Sequence, residues 1–311
     1  MLPPTKVLLK GLATFIPGAY ALFSKGTGGT GSARYCYSVW LRHLVLAKKS
    51  GRLNRFPSVI AELGPGDSLG IGLAALLSGA DKYYGLDVVR HTDTRTNLKI
   101  FEQLIELFKR QAPIPDSREF PNIYPLLDNY EFPSDILTVE LLQKTLAAER
   151  LWQLRKDIEA SSEKFIAYFV PWDDAKVIKP NSVDFIYSQF VLEHVNSLEL
   201  TYGSLNRWLK PGGLMSHMVD FRCHGTATKW NGQWAYSDFM WKLIKGGRPF
   251  LLNRQPASAH IQLLEKFGFN IINSLKFTSN DGIARANLSA AFKNLADDDL
   301  KTWGLFVQAT K

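Results

Sequence analysis

A Gly-rich turn between an apolar strand and an apolar helix is the feature that most restricts the fold of this chain. The turn covers residues 62–70, with the sequence ELGPGDSLG, and a helix is predicted over Gly70–Ser78. Glycines let the backbone turn sharply and approach a ligand closely. Free N–H groups at the start of the helix can also face an anionic group. The turn therefore indicates a ligand-binding loop, although taken alone an ordinary strand-to-helix connection would show the same pattern.

From residue 57 onward, apolar strands alternate with helices. The predicted strands cover residues 58–63, 82–87, 164–170, 183–188, 213–221, 270–277 and 303–309. Apolar side chains at helical spacing fill most of the intervals between them. This alternation is typical of a parallel sheet with helices on both faces. We therefore predict an α/β fold with a doubly wound, seven-stranded, mostly parallel sheet of the Rossmann-like type.

The same pattern divides the chain into a helical N-terminal extension, residues 1–57, and a main domain, residues 58–311. In the extension the clearest predicted helix is Ala33–Lys49. Two segments of the main domain interrupt the alternation and are predicted to be insertions, at residues 111–162 and 222–257. The first insertion is rich in proline and then helical, whereas the second is dense in Trp, Lys and Gly.

The N-terminal segment over residues 6–23 is a candidate for weak contact with a membrane surface. Pro17 and Gly18 break it into two short amphipathic pieces. We favour a helix packed over the main domain as a lid on the ligand site over an anchor in a lipid interface. The Gly-rich run at residues 25–32 lacks the Gly-Lys-Ser/Thr ending of a phosphate-binding P-loop.

The composition permits a substantial core, since 46% of the 311 residues are hydrophobic. The formal net charge of +8 is compatible with an anionic partner, but the basic residues are scattered and we expect no nucleic-acid partner. Two cysteines are too few for a disulfide framework or a four-thiolate zinc site. No apolar run reaches the roughly 20 residues that cross a bilayer. We therefore expect a cytoplasmic protein.

Asp87 ends the second predicted strand, 23 residues after Gly64. A carboxylate at this place can accept both hydroxyl groups of a ribose, so the pair indicates a nucleotide cofactor. A nicotinamide dinucleotide site usually shows Gly-x-Gly-x-x-Gly, whereas here the third glycine is Gly70, one residue late. A nicotinamide-dependent oxidoreductase is therefore the weaker interpretation.

Five segments in a fixed order resemble the class I methyltransferases, in the group called methyltransferase type 11. They are Glu62-x-Gly64-x-Gly66, Asp87, Asp174-Ala175, residues 181–195 and the LKPGG segment at residues 209–213. The resemblance covers residues 57–221 and the last strands, although Ser68 stands where the family has a third glycine. It implies S-adenosylmethionine as cofactor. The cofactor-binding residues that it implies are Glu62, Gly64, Pro65, Gly66, Asp87, Asp174, Ala175, Ser188 and Gln189.

The LKPGG segment also has a plain structural interpretation. Proline ends a helix and glycines turn the chain into the next strand. We therefore expect residues 209–213 to form the turn before the fifth strand, with no catalytic part.

Methyl transfer needs in-line alignment of donor and acceptor, and a hydroxyl acceptor also needs a general base. Ligands in open α/β sheets bind at the carboxyl ends of strands, which favours Asp220 and His224 as catalytic residues. His194, which the resemblance places beside the cofactor, is the third candidate. A metal site of His217, Asp220 and His224 is a weaker alternative, and we expect no metal.

The second insertion is predicted to form a wall of the acceptor pocket. Its aromatic residues could stack on a sugar or a flat acceptor, but helical spacing favours packing. The residues concerned are Trp230, Trp234, Tyr236, Phe239 and Trp241.

The sequence thus predicts a methyltransferase that uses S-adenosylmethionine and a small polar acceptor. We expect the methylated atom to be an oxygen of a sugar, a glycan intermediate or another metabolite. One alternative is a non-catalytic protein that keeps the fold as a binding or scaffold module. A nucleic-acid methyltransferase is disfavoured because no Asn/Asp-Pro-Pro-Tyr segment follows the fourth predicted strand.

Overall fold

The computed structural model describes residues 3–16, 29–53, 55–172, 174–248 and 250–311, and its centre is a seven-stranded sheet. The strands are β1 (Val59–Leu63), β2 (Lys82–Leu86), β3 (Ile166–Phe169), β4 (Val183–Gln189), β5 (Leu209–Asp220), β6 (Asn270–Thr278) and β7 (Thr302–Thr310). Their order is β3-β2-β1-β4-β5-β7-β6, and only the pairings of β7 are antiparallel. The predicted mostly parallel sheet is confirmed. The strand order reverses between β1 and β4, where open α/β sheets bind ligands.

β5 begins four residues earlier than predicted, and the LKPGG segment is a bulge in this strand rather than a turn before it. Val183 of β4 pairs with Leu209, and the next pair is Phe185 with Leu214, so the intervening stretch of β5 is longer. Gly212 absorbs the bend with a φ of +74°, a conformation that favours glycine. β5 therefore pairs with β4 from Leu209 onward, before the bend at Gly212 that the sequence pattern indicated as the start of the strand.

Ten α-helices lie in the described part of the chain. They are α1 (Thr5–Ala13), α2 (Ala33–Lys49), α3 (Gly70–Ser78), α4 (Thr94–Lys109), α5 (Val139–Thr145), α6 (Ala148–Ala160), α7 (Leu198–Trp208), α8 (Asp238–Lys245), α9 (Ala257–Lys266) and α10 (Asp297–Lys301). The side chains of Asp93, Ser197 and Ser237 cap the first turns of α4, α7 and α8 by accepting a backbone N–H. Among the described helices, none has the length and apolar character needed to traverse a bilayer.

Helices cover both faces of the sheet, and a tryptophan is buried in each layer. On one face α2, α3 and α4 share a core that contains Trp40, whose Nε1 donates to Ser78 Oγ at 2.8 Å. On the other face α7 and α9 pack around Trp208, whose Nε1 donates to the Ala175 carbonyl oxygen at 2.7 Å. Because α2 belongs to the same core as α3, the domain boundary at residue 57 stays a prediction.

The two predicted insertions pack against the two N-terminal helices. Arg42 of α2 is fully buried, and its guanidinium donates to the carbonyl oxygens of Pro115 (3.0 Å) and Pro125 (2.7 Å) in the first segment. The second segment contains α8, which packs against α1. These contacts position both segments, while their bounds stay predictions.

Candidate functional site

The Gly-rich turn leaves β1 as a tight loop. Gly64 and Gly66 have φ of +66° and +73°, and the N–H of Gly64 donates to the Leu86 carbonyl oxygen at 2.7 Å. A Cβ at Gly64 would lie 2.5 Å from Cγ2 of Val191. Glycine is therefore required at this position both by the backbone conformation and by the space beside it.

Thr30, from the N-terminal segment, holds this loop in place. Its Oγ1 accepts hydrogen bonds from the N–H groups of Asp67 (2.9 Å) and Ser68 (3.3 Å). Ser68 Oγ in turn donates to the Thr30 carbonyl oxygen, which gives a structural reason for serine where the family has glycine. The Gly-rich run at residues 25–32 was the only sequence signal for this contact. Of that run, residues 25–28 lie outside the described residues.

A cavity of about 600 Å³ opens beside the loop. Seven of the predicted site residues line it, namely Gly64, Pro65, Gly66, Asp87, Gln189, His194 and His224. Five others lie outside its lining, namely Glu62, Asp174, Ala175, Ser188 and Asp220. Sequence reasoning did not find several further lining residues, among them Thr30, Tyr35, Trp172, Val191 and Phe250.

Asp87 lies just beyond β2 with its side chain over the loop. Its Oδ1 accepts the N–H of Val88 at 2.7 Å, and its Oδ2 accepts the N–H of Gly66 at 3.4 Å. Burial raises the pKa of Asp87, and the backbone hydrogen bonds oppose this shift. A carboxylate fixed in this way at the cavity wall can accept hydrogen bonds from paired hydroxyl groups.

Glu62 lies beneath the loop and joins three strands. Its Oε2 accepts hydrogen bonds from Tyr83 Oη of β2 (2.6 Å) and Tyr187 Oη of β4 (3.0 Å). The side chain is buried. Burial raises the pKa of Glu62 to about 8, against the opposing effect of the two tyrosine hydroxyl groups. The contacts support a positioning part for Glu62 under the loop, and its predicted contact with the cofactor stays a prediction.

The raised pKa of Glu62 predicts a pH-dependent stability. The folded chain retains a proton at Glu62 that the unfolded chain releases near its ordinary pKa of 4.5. This contribution to stability is therefore fully present below pH 4.5 and is lost as the pH rises through about 8. Relative to Glu62→Gln, the free energy of unfolding of the wild type is expected to fall by up to about 1.4 kcal/mol per pH unit between pH 4.5 and about 8. Urea unfolding of both proteins across the window measures the difference, and a constant difference would contradict it.

Three more of the predicted cofactor residues have partners within the protein. Ser188 is buried, and its Oγ lies 2.8 Å from His217 Nδ1. Asp174 is exposed and caps a short 3₁₀ helix through the N–H of Lys176 at 2.8 Å. Gln189 reaches the cavity while its Nε2 donates to the Tyr124 carbonyl oxygen at 2.9 Å. Contact of these three side chains and of Ala175 with a cofactor stays a prediction.

At the carboxyl end of β5, Asp220 is in contact with Arg222 and His224. Arg222 donates to its two oxygens through Nε (2.9 and 3.0 Å) and Nη2 (2.7 Å), and the guanidinium lies 4.8 Å from the ring centre of Trp303. His224 Nε2 lies 3.2 Å from Asp220 Oδ2. Burial would raise the pKa of Asp220, but the hydrogen bonds from His224 and Arg222 prevail and hold it at about 2. Asp220 is therefore ionised at neutral pH.

An ionised Asp220 fixes the tautomer of His224. Since a carboxylate only accepts hydrogen bonds, the proton of a neutral imidazole is placed on Nε2, and Nδ1 keeps its lone pair. His224 also has a φ of +46°, which costs a non-glycine residue roughly 1–2 kcal/mol. Such strain persists where the surroundings determine the conformation. The strand end thus presents an oriented imidazole at the cavity wall.

His194 stands beside His224, with their ring centres 5.1 Å apart. Burial, together with His224, lowers the pKa of His194 to about 3. Neither carboxyl oxygen of the buried Glu193 has a hydrogen-bond partner among the described residues. Potential metal-ligating atoms of Glu193, His194 and His224 lie within 4.8 Å of one another. The set considered from the sequence does not form, because His217 is directed to Ser188 instead.

The second insertion contributes to the cavity, but not through the aromatic residues that were singled out. Arg248, Phe250 and Leu251 line the cavity, as do Lys10 and Thr14 of the N-terminal segment. Both the second insertion and α1 therefore reach this cavity, while their parts as a wall of the acceptor pocket and as a lid stay predictions. Four of the five aromatic residues pack in two small apolar clusters, as predicted: Trp230, Trp234, Tyr236 and Trp241. The fifth, Phe239, is exposed.

Comparison with known proteins identifies the family. Residues 53–274 match the model of a methyltransferase domain. No curated protein sequence gives a significant match. Among solved structures, an S-adenosylmethionine-dependent methyltransferase from Mesorhizobium loti is 17% identical, with a TM-score of 0.42 over 84% of this chain and 94% of that one. Phosphoethanolamine N-methyltransferase 2 from Haemonchus contortus, in complex with S-adenosyl-L-methionine, is 15% identical, with a TM-score of 0.42 over 88% of this chain and 52% of that one.

At these identities and TM-scores, nothing about the acceptor follows from the solved structures. The family match covers more than half of the chain. It includes the glycine loop, Asp87 and the His224 strand end. The chain therefore belongs to the methyltransferase-domain family, and its cofactor is S-adenosylmethionine.

Proposed function

We propose that the chain transfers the methyl group of S-adenosylmethionine to a hydroxyl oxygen of a small polar acceptor. The observation that carries this proposal is the Asp220–His224 pair, because an oriented neutral imidazole suits the removal of a hydroxyl proton. The pair lies at the carboxyl end of β5, and His224 lines the same cavity as the glycine loop.

The residues beside the loop fit the cofactor. At Gly64 a Cβ would clash with Val191, which lines the cavity, so glycine alone lets the loop pass this close to the cavity wall. Asp87 offers a carboxylate for the ribose hydroxyl groups. Gly66 and Pro65 complete this wall of the cavity. When bound, the cofactor supplies a methyl group that is already activated on a positively charged sulfur. The protein then has to align the acceptor and manage one proton.

His224 is proposed as the general base and Asp220 as the residue that positions it. Bound S-adenosylmethionine would supply the methyl carbon to the acceptor oxygen and would leave as the neutral thioether. The hydroxyl proton passes to Nδ1 of His224, and Asp220 stabilises the resulting imidazolium. His194 is proposed to lie beside the acceptor as a neutral side chain, in keeping with its lowered pKa.

The cavity wall favours an acceptor that carries negative charge. Lys10 and Arg248 both line the cavity, and cations there would attract a phosphate or carboxylate group. Phe250 adds an apolar ring to the same wall. We therefore propose a sugar phosphate, a glycan intermediate or a similar polar metabolite. The free, buried state of Cys36 and Cys223 fits the reducing cytoplasm that we propose as the compartment.

The test is methyl transfer to a panel of sugar phosphates, nucleotide sugars and amines, with an isotopically labelled methyl group. Nuclear magnetic resonance of the product distinguishes O-methyl from N-methyl and S-methyl carbon. We expect O-methyl product, and the same rate in the presence of a metal chelator. An N-methyl product would contradict the proposed acceptor. Loss of activity with the chelator, restored by a divalent cation, would instead indicate a metal at Glu193, His194 and His224.

A further inference from the structure

A cluster of large apolar side chains is exposed on α1 and the turn that follows it. Leu9, Leu12, Phe15 and Ile16 are 61%, 48%, 62% and 63% exposed. Leu9, Leu12 and Ile16 follow the spacing of one helix face, and Phe15 lies beside them. Other exposed large hydrophobic residues are spread over the described chain. A contiguous patch of this kind marks an interaction surface. We call these four residues, with Lys6, the α1 surface.

The opposite side of α1 packs against the protein, and this packing sets the orientation of the exposed side chains. Gly11 is buried against α8, where a Cβ would lie 2.2 Å from the Leu243 carbonyl oxygen. Thr14 Oγ1 accepts the N–H of Gly247 at 2.8 Å. Val7 packs on the small core around Trp241. The helix therefore cannot rotate to bury the α1 surface without losing these contacts.

The two lysines of α1 belong to a basic N-terminal part of the chain. Nine Lys and Arg residues precede Glu62, the first acidic residue of the chain, whereas the remaining 250 residues contain 28 Lys and Arg and 29 Asp and Glu. Lys6 and Lys10 flank the apolar stripe along α1, and Lys242 is exposed on the neighbouring α8. Neither Lys6 nor Lys10 has an ion-pair partner among the described residues. A partner with negative charge is therefore favoured.

We propose that the α1 surface binds an anionic lipid surface, with its apolar side chains among the acyl chains and with Lys6 and the neighbouring Lys10 at the headgroups. An exposed apolar stripe bordered by lysines is the arrangement of interfacial helices. Charge complementarity favours a lipid headgroup layer over a second copy of this basic chain. Lys10 and Thr14 belong to the cavity wall, so binding brings the cavity to the lipid surface. The proposal does not depend on the acceptor or on methyl transfer.

Sedimentation of the full chain with vesicles tests this proposal. We expect binding to vesicles of phosphatidylcholine with phosphatidylglycerol, much weaker binding to phosphatidylcholine alone, and release by salt. Phe15→Ser/Ile16→Ser is expected to weaken binding by at least about tenfold. Lys6→Glu is expected to weaken it by at least about fivefold. Unchanged binding of S-adenosylmethionine by Phe15→Ser/Ile16→Ser checks that the variant is folded.

The matched controls change exposed residues of the first insertion. Val139 and Trp152 are 54% and 56% exposed, and Val139→Ser/Trp152→Ser is expected to bind vesicles like the wild type, as is Lys144→Glu. Absence of wild-type binding to anionic vesicles would overturn the proposal. An equal loss of vesicle binding in Phe15→Ser/Ile16→Ser and in Val139→Ser/Trp152→Ser would also overturn it. The proposal would also be overturned if the wild type did not bind vesicles but formed a dimer that Phe15→Ser/Ile16→Ser converts to monomer. The α1 surface would then bind a second copy of the chain.

Discussion

Replacing His224 with alanine is expected to lower kcat by about 10²–10⁴-fold while leaving the affinity for S-adenosylmethionine almost unchanged. The imidazole is oriented by the ionised Asp220 and carries its lone pair on Nδ1, so its loss removes the proposed proton acceptor. Asp220→Asn is expected to lower kcat as well, because an amide can donate to Nε2 and so reverse the tautomer. Steady-state kinetics with a saturating acceptor, beside calorimetric titration with the cofactor, measure both effects.

His91→Ala is the matched control for this substitution. His91 lines the same cavity, but it has no hydrogen-bonded carboxylate among the described residues. We expect a much smaller fall in kcat for His91→Ala. Added imidazole is expected to restore part of the activity of His224→Ala, a rescue that a purely structural histidine would not show. Full activity of His224→Ala would contradict the proposed base and indicate an acceptor that needs no deprotonation.

Gly64→Ala is expected to weaken binding of S-adenosylmethionine by at least about tenfold, equivalent to about 1.4 kcal/mol. The left-handed conformation at φ +66° penalises any side chain, and the new Cβ would lie 2.5 Å from Val191, which lines the cavity. Either Val191 is displaced into the cavity or the loop moves. Calorimetric titration measures the affinity, and urea unfolding measures the cost in stability.

Gly212→Ala separates the effect of the left-handed backbone conformation from the effect of the clash between a Cβ at Gly64 and Val191. Gly212 has a φ of +74° but no atom within 4 Å of a Cβ built on it, and it lies in the bulge of β5. Both variants are expected to lose roughly 1–2 kcal/mol of unfolding free energy through the left-handed conformation. Only Gly64→Ala is expected to lose affinity. Equal affinities in the two variants would show that the clash of the new Cβ with Val191 does not disturb the cofactor site.

The sequence predicted the sheet and the glycine loop because local signals dominate there. The apolar strands are bounded by Gly, Pro and polar residues, and α3 has the predicted bounds because its apolar run begins at one glycine and ends before another. Asp87 was found because it ends a strand at a characteristic distance from Gly64. The start of β5 was mispredicted because pairing of Leu209 with β4 overrides the local Pro-Gly-Gly signal.

Contacts between distant parts of the chain escaped prediction. Thr30 reaches the loop from 37 residues away, and the approach of His194 to His224 depends on the side-by-side placement of β4 and β5. The hydrogen bonds of Glu62 with Tyr83 and Tyr187, toward which the pleat of β1 directs its side chain, were not predicted either. A sequence pattern identifies the residue types of a site, but the face on which each one lies follows from strand pairing.

Calorimetric titration of the full chain with S-adenosylmethionine, NAD and NADP, repeated on Asp87→Ala, tests the central claim most directly. We predict that the wild type binds S-adenosylmethionine and neither dinucleotide. Asp87→Ala is expected to weaken this binding by at least about 10- to 150-fold, the equivalent of losing one hydrogen bond to a charged group at about 1.5–3 kcal/mol. A folded wild type that binds NAD or NADP, or that fails to bind S-adenosylmethionine, would contradict the account.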